Sequence, residues 1–144
     1  MRSIDVFRAI VAGEREPPPV ATLIGFRMTE VGEGRVVFQL DVGPQHASPL
    51  GTVHGGVLCD VADAAMGCAH ASLLGEGESF TTLELKINFL KPVWSGLLTA
   101  EGKVLKAGRT VSLTECRVTD ESGSLVAHAT STCMTLRGDA AKGR

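Results

Sequence analysis

The chain has 144 residues, 44% hydrophobic and 21% charged, with 14 basic against 16 acidic side chains for a formal charge of −2. That is one domain's worth of material with the composition of a globular protein, which excludes wholesale disorder. No global cationic field exists to hold nucleic acid or an anionic membrane.

The N-terminal stretch, 1–24, reads as a weak helix over residues 3–13 and then an extended lead-in, because Pro17, Pro18 and Pro19 cannot continue a helix. Charges among residues 1–8 leave no continuous apolar core for a signal peptide. Gly25–Val31 offers a short strand and Gly32-Glu33-Gly34 a turn. Val36, Phe38, Leu40 and Val42 then alternate with Arg35, Val37, Gln39 and Asp41, the pattern of a half-buried strand. Residues 45–52, with Pro49 and Gly51, read as loop.

Val57–Leu74 is the one long helical run, about 27 Å at ~1.5 Å per residue. Its small and apolar residues cover most of the circumference, which predicts a helix enclosed on several sides. Asp60 and Asp63 near its middle argue against a membrane span. Four more strands follow, over Thr82–Phe89, Leu98–Val104, Val111–Val118 and Leu125–Leu136. The connectors Trp94-Ser95-Gly96, Ala107-Gly108-Arg109 and 120–124 are short enough for hairpins, so the expectation is a four-stranded antiparallel meander. Such a sheet must curl around the helix to bury it. The expected architecture is α+β, one domain over 1–144, with five to six antiparallel strands wrapped about a long central helix. Gly138–Arg144 reads as a flexible polar tail.

The cysteines, Cys59, Cys68, Cys116 and Cys133, form no C-x-x-C pair and no secreted-type framework, so they read as reduced packing thiols of a cytoplasmic protein. The histidines, His46, His54, His70 and His128, lack metal-ligand spacing, and no G-x-S-x-G elbow occurs. The chemistry therefore points to the helix. A carboxylate on a nearly all-apolar helix needs a reason, since burying it unpaired is costly. The helix opens with His54-Gly55-Gly56, whose glycines admit a ligand to the backbone and whose first amides suit a developing oxyanion. Asp63, seven residues past Gly56, returns to within about 20° of its face, and Asp60, four past, to within about 40°. Helical phase alone does not choose between them. Asp63 also stands about 10 Å along the axis from the glycines, too far for both to touch one carbonyl of the same molecule. If they cooperate, the two must come from different copies of the chain.

His54-Gly55-Gly56, the acid at Asp63, and the strand Thr82-Leu83-Glu84-Leu85-Lys86-Ile87-Asn88-Phe89 running into Leu90-Lys91-Pro92 resemble the hotdog-fold acyl-CoA thioesterases. The likeness spans roughly residues 20–136 and is nearest the phenylacetate-pathway (PaaI-like) branch and the 4-hydroxybenzoyl-CoA type. The resemblance implies hydrolysis of an aryl, arylacetyl or medium-chain acyl-CoA at a dimer interface, in a homodimer at minimum and usually a homotetramer. It implies no cofactor beyond the coenzyme A of the substrate, no metal, no nucleic acid and no membrane. Asp63 falls on the family's nucleophile or general base, Gly55 on the amide that polarises the carbonyl, and Gly56 beside it. His54 falls on a residue that orients this region, and Thr82 on a hydroxyl near the attacking water. Gly108, Arg109 and Thr110 look like the turn that meets the nucleotide of coenzyme A, with Lys91 and Arg137 as phosphate partners. Where the family commonly has Asn or Gln, six residues before the His, this chain has Ser48. Ser48 then acts through a bridging water, or Gln45 or His46 reaches in. Asp60 misses the family offset and reads as structural. The alternatives are a non-catalytic acyl-CoA-binding protein of the same fold, or a hydratase of that fold.

Overall fold

The structure is a computed structural model that describes residues 1–143. Three helices, α1 (Ser3–Val11), α2 (Pro19–Ile24) and α3 (Gly55–Ala71), accompany six strands. The strands are β1 (Phe26–Gly32), β2 (Arg35–Val42), β3 (Ser79–Phe89), β4 (Gly96–Ala107), β5 (Val111–Thr119) and β6 (Leu125–Leu136). They form one antiparallel sheet in the order β1-β2-β4-β5-β6-β3, which curls around α3. This is the hotdog architecture, a long helix in a curved six-stranded wrap.

α3 sits close to the sheet because the faces that meet are small. Ala62, Ala65 and Ala69 on the helix and Ala100, Ala127 and Ala129 on the strands are all buried. At Gly102 of β4 an added Cβ would stand 2.3 Å from the Ala65 carbonyl oxygen, so strand and helix backbones are nearly in contact. Leu40, Met66, Leu98, Val36, Val61, Val118 and Val126 fill the space on either side. One stripe of α3, with Gly56, Asp60 and Asp63, stays exposed. The enclosure expected of this helix therefore holds on all sides but that one.

Two expectations fail. The prolines do bar α1 from continuing, yet Pro19 takes the first position of a second helix, where its fixed φ suits a helix start and its missing N–H leaves no bond unmade. The lead-in is thus helical over Pro19–Ile24 and not extended. The connector at Trp94-Ser95-Gly96 is also no hairpin. β3 pairs with β6 at the sheet edge, and β4 lies between β2 and β5. Residues 90–95 cross over the ends of β6 and β5, pinned where the Leu90 and Lys91 amides donate to the Val126 carbonyl and the Val53 amide donates to Val93. Six residues can extend to about 20 Å, enough to step past two strands at ~4.8 Å spacing. The meander is therefore three-stranded, β4-β5-β6.

Within 45–52 the chain is less irregular than expected. Pro44–His46 forms a 3-10 turn, and Ala47 bridges Val53. Gly138–Ala141 forms another such turn, and Arg144 of the expected tail lies outside the described residues. No helix among the described residues is long and apolar enough to cross a membrane.

Candidate active site

His54 is the N-cap of α3. Its Nδ1 accepts the Gly56 amide at 2.9 Å, which fixes the ring orientation and puts the imidazole proton on the outward Nε2. Of the two glycine amides, Gly56 is thereby engaged. The Gly55 amide has no acceptor among the described residues and is left at the positive end of a 17-residue helix. The Phe89 ring lies against position 55, where a Cβ would meet its Cζ at 2.8 Å, so a side chain there would have to displace the ring. Ser48, His54, Gly55, Phe89 and Lys91 line one depression of about 690 Å³, with Val53, Leu58 and Leu90 supplying apolar wall.

Ser48 does not reach toward the Gly55 amide through any side-chain bond. Its hydroxyl pairs with Thr52 at 3.3 Å and accepts the Leu50 amide at 3.3 Å. The suggested substitute His46 is buried and committed, since Nδ1 accepts from the Gly43 amide and Nε2 donates to the Ile24 carbonyl.

Asp63 lies in a second depression, about 340 Å³, with Cys59, Asp60, Thr82 and Leu83–Leu85. The Thr82 hydroxyl donates to Asp63 Oδ1 at 3.0 Å. Asp60 shares the depression and makes no hydrogen bond or ion pair among the described residues, so the Thr82 bond distinguishes the two acids. A β-bulge makes that bond geometrically available. Strict alternation would put Thr82 on the face opposite Leu85, Ile87 and Phe89. The register shifts between Thr82, opposite Cys133, and Glu84, opposite Thr132, with Leu83 as the extra residue. Thr82 and the three apolar residues consequently share the inner face.

The nearby thiols are poor nucleophiles. Burial pushes the Cys68 thiol up to about 12, helped by the Asp63 charge, and burial with the Asp60 and Asp63 charges raises Cys59. No group of three or more His, Cys, Asp or Glu able to hold a metal occurs among the described residues.

Gly108, Arg109 and Arg137 meet at a third depression of about 170 Å³, beyond the C-terminal end of α3. Gly108 is required by the tight turn, where a Cβ would stand 2.2 Å from the Val111 carbonyl oxygen, and the Thr110 carbonyl accepts from the Thr135 amide. Both cations expected to be free for phosphate are held by acids. Arg137 donates to Glu78 and to the Arg109 carbonyl, and Lys91 pairs with Asp120. One protomer therefore carries the expected residues in three separate places.

The Lys91–Asp120 pair ties the crossover to the β5–β6 turn, where Asp120 also accepts from the Ser122 hydroxyl and the Ser122 and Ser124 amides. Lys91 first, then Ser122, hold the Asp120 carboxyl well below its ordinary value of 3.8. A depressed folded-state value stabilises the fold above the unfolded value and loses that stabilisation as pH falls. Between about pH 4 and pH 2 the wild type should lose stability more steeply than Asp120→Asn, measured by urea unfolding. Parallel curves would remove Asp120 as a contributor.

The Phe89 ring against Gly55 and the Leu83 bulge are the features of the candidate site that sequence reasoning missed. Phe89 stood in the motif without a role, and the adjacent glycines signalled a close neighbour without naming it.

A model of the thioesterase superfamily matches residues 50–127. The 1,4-dihydroxy-2-naphthoyl-CoA hydrolase of Listeria monocytogenes is 31% identical over 103 residues, covering 72% of this chain and 84% of that protein. A phenylacetic acid degradation-related protein of Ralstonia eutropha has a solved structure with a TM-score of 0.81 and 31% identity, covering 89% of this chain and 98% of that one. A thioesterase family protein of Silicibacter pomeroyi gives a TM-score of 0.81 at 29% identity, covering 92% and 99%.

Proposed function

Because the chain belongs to the hotdog thioesterase superfamily, and is thus a thioester hydrolase, we propose that it cleaves an aryl- or arylacetyl-CoA, or a medium-chain acyl-CoA, to free acid and coenzyme A. The observation that carries this reading is the Asp63 carboxylate, oriented by Thr82, on the bare stripe of the helix whose first amide, Gly55, is unpaired. The two stand about 12 Å apart along the axis, so the site forms where the Gly55 end of one copy meets the Asp63 stripe of another. The protein then works as a homodimer or a dimer of dimers.

In that crevice the thioester carbonyl oxygen accepts the Gly55 N–H, and the helix dipole favours the negative charge that grows there. Asp63 either attacks the acyl carbon or takes a proton from the water that does. Collapse of the tetrahedral intermediate breaks the C–S bond and the thiolate departs. On the water route this leaves the free acid directly; on the Asp63 route it leaves an acyl–Asp63 anhydride, which water then hydrolyses to the acid and the restored carboxylate. Ser48 approaches the substrate through water, and Gly108, Arg109, Thr110, Lys91 and Arg137 meet the nucleotide of coenzyme A, the last two after leaving their acid partners. The apolar wall of the Gly55 depression and the substrate in the Listeria relative's name both support an aromatic acyl group. No cofactor is needed, and the enzyme acts in the cytoplasm.

A thiol-release screen over benzoyl-, phenylacetyl-, hydroxylated aryl- and short- and medium-chain acyl-CoAs tests this. The expected result is turnover highest on the aryl and arylacetyl members. Stable binding without thiol release, or hydration of an enoyl-CoA in its place, would overturn it.

A further inference from the structure

Protein interiors pack as densely as organic crystals and leave few voids larger than a water molecule. One flank of α3 departs from this. A cavity of about 110 Å³ lies between α3 and the N-terminal helices, with Phe7 of α1 and Ala21 of α2 as its roof, Phe26 and Phe38 as its wall, and Ala64 and Cys68 of α3 as its floor. The roof is fixed in place, since Ile4 of α1 is buried and Arg2 Nε donates to the Leu74 carbonyl. Ala64 and Cys68 are only half-buried, whereas Ala62, Ala65 and Ala69 are fully buried against the sheet. A leucine at either floor position would fill the space, so two small side chains keep it open.

Ala64 directly follows Asp63, and Cys68 lies one turn beyond Ala64 on the same face. The cavity therefore flanks the bare stripe that presents the carboxylate. No charged or hydroxyl-bearing side chain lines it. A space so lined stays dry and takes apolar guests. At the ~0.74 packing of an interior it holds roughly 80 Å³ of atoms, about one phenyl ring. The chain has five phenylalanines and no tyrosine, and three of the five, Phe7, Phe26 and Phe38, face this one cavity. The Phe26 and Phe38 rings already meet edge to face, with centroids 5.5 Å apart. Aromatic edges and faces suit a further ring better than an alkyl chain.

We propose that this cavity receives the aryl end of the acyl group, and that its lining selects an unsubstituted ring over a hydroxylated one. The inference rests on Asp63 being the reacting carboxylate. With the carbonyl carbon before Asp63 and its oxygen on the Gly55 amide of the other copy, one or two further carbons lead past Ala64 into the cavity, because neighbouring Cα atoms are only ~3.8 Å apart. A ring hydroxyl carried there loses its water and finds no partner. Ala64 and Cys68 are then specificity-determining residues, and the acyl groups that fit are single rings without polar substituents, on a short linker.

The test is steady-state thiol release from phenylacetyl-, para-hydroxyphenylacetyl-, hexanoyl- and acetyl-CoA by the wild type, Ala64→Leu, Cys68→Leu and Phe7→Ala. In the wild type kcat/KM should be highest for phenylacetyl-CoA and about 10- to 100-fold lower for its hydroxylated counterpart, the range an apolar pocket reaches against one added hydroxyl. Each leucine should cut the phenylacetyl-to-acetyl ratio of kcat/KM at least about 10-fold, because the acetyl group ends before the cavity. A ratio taken within one preparation cancels any loss of folded protein. If neither leucine variant folds, Phe7→Ala carries the comparison, since loss of one aromatic partner should narrow the preference for phenylacetyl- over hexanoyl-CoA about 3- to 10-fold. A hydroxyl penalty below about 10-fold, hexanoyl-CoA preferred to phenylacetyl-CoA, or ratios that no variant moves would overturn the subsite. Asp63→Asn in the same assay separates the two levels. Thiol release that it abolishes leaves the function standing whatever becomes of the subsite, whereas release that survives it, or no release from any of the four thioesters, would remove the function itself.

Discussion

Asp63→Asn should lower kcat for thioester hydrolysis at least about 100-fold, the lower end of what a positioned base contributes. Stability should hardly change. Asp63 is exposed and makes one side-chain bond, from Thr82, which an Asn carbonyl oxygen accepts equally well. The substitution therefore removes the charge without burying an unpaired group or opening a cavity. The outcome separates Asp63 from Asp60, which sits in the same depression without a fixed partner. Asp60→Asn should leave kcat within about threefold, because a carboxylate with no orienting bond has no defined line of approach. A single kinetic series with unfolding curves on the same preparations checks both, and an Asp63→Asn enzyme retaining a tenth of its activity would remove the assignment.

Gly102→Ala should destabilise the fold by about 3 kcal/mol or more, at or beyond the upper end for added volume in a packed core. The new methyl would stand 2.3 Å from the Ala65 oxygen, 2.4 Å from its carbonyl carbon and 2.9 Å from the Met66 nitrogen. All three are backbone atoms of α3, so relief requires the helix or β4 to move, and β4 is bonded on both sides. A domain of this size is stable by roughly 5–15 kcal/mol, so the loss is a large share of the whole. Gly32→Ala is the control. Nothing lies within 4 Å of its added methyl and its φ is not positive, so its urea midpoint should barely move. Similar midpoints for the two variants would mean that helix and sheet are less closely apposed than described.

Most elements were legible in the sequence because alternation and helical spacing are local signals. The strand partner of Thr82–Phe89 was not. Period two sets which side chains share a face but says nothing of which strand lies alongside, and a connector over Trp94-Ser95-Gly96 fits a hairpin or a crossover equally well. The site divides in the same way. Gly55, Asp60 and Asp63 stood out as anomalies on one helix, where phase and rise can be computed, but only the family offset chose Asp63 over Asp60. Lys91 and Arg137 looked free because Asp120 and Glu78 are 29 and 59 residues away in the chain, and only the folded sheet brings each acid to its cation. Thr82 came from family likeness alone, against the alternation of its own strand.

The bulge at Leu83 bears on how such chains should be aligned. A homologue one residue shorter there can keep a threonine at the column of Thr82 and still present it to the wrong side of the sheet, out of reach of the acid. Column identity then overstates kinship of function, and a single gap at this point is worth more as a discriminator than several matched residues around it.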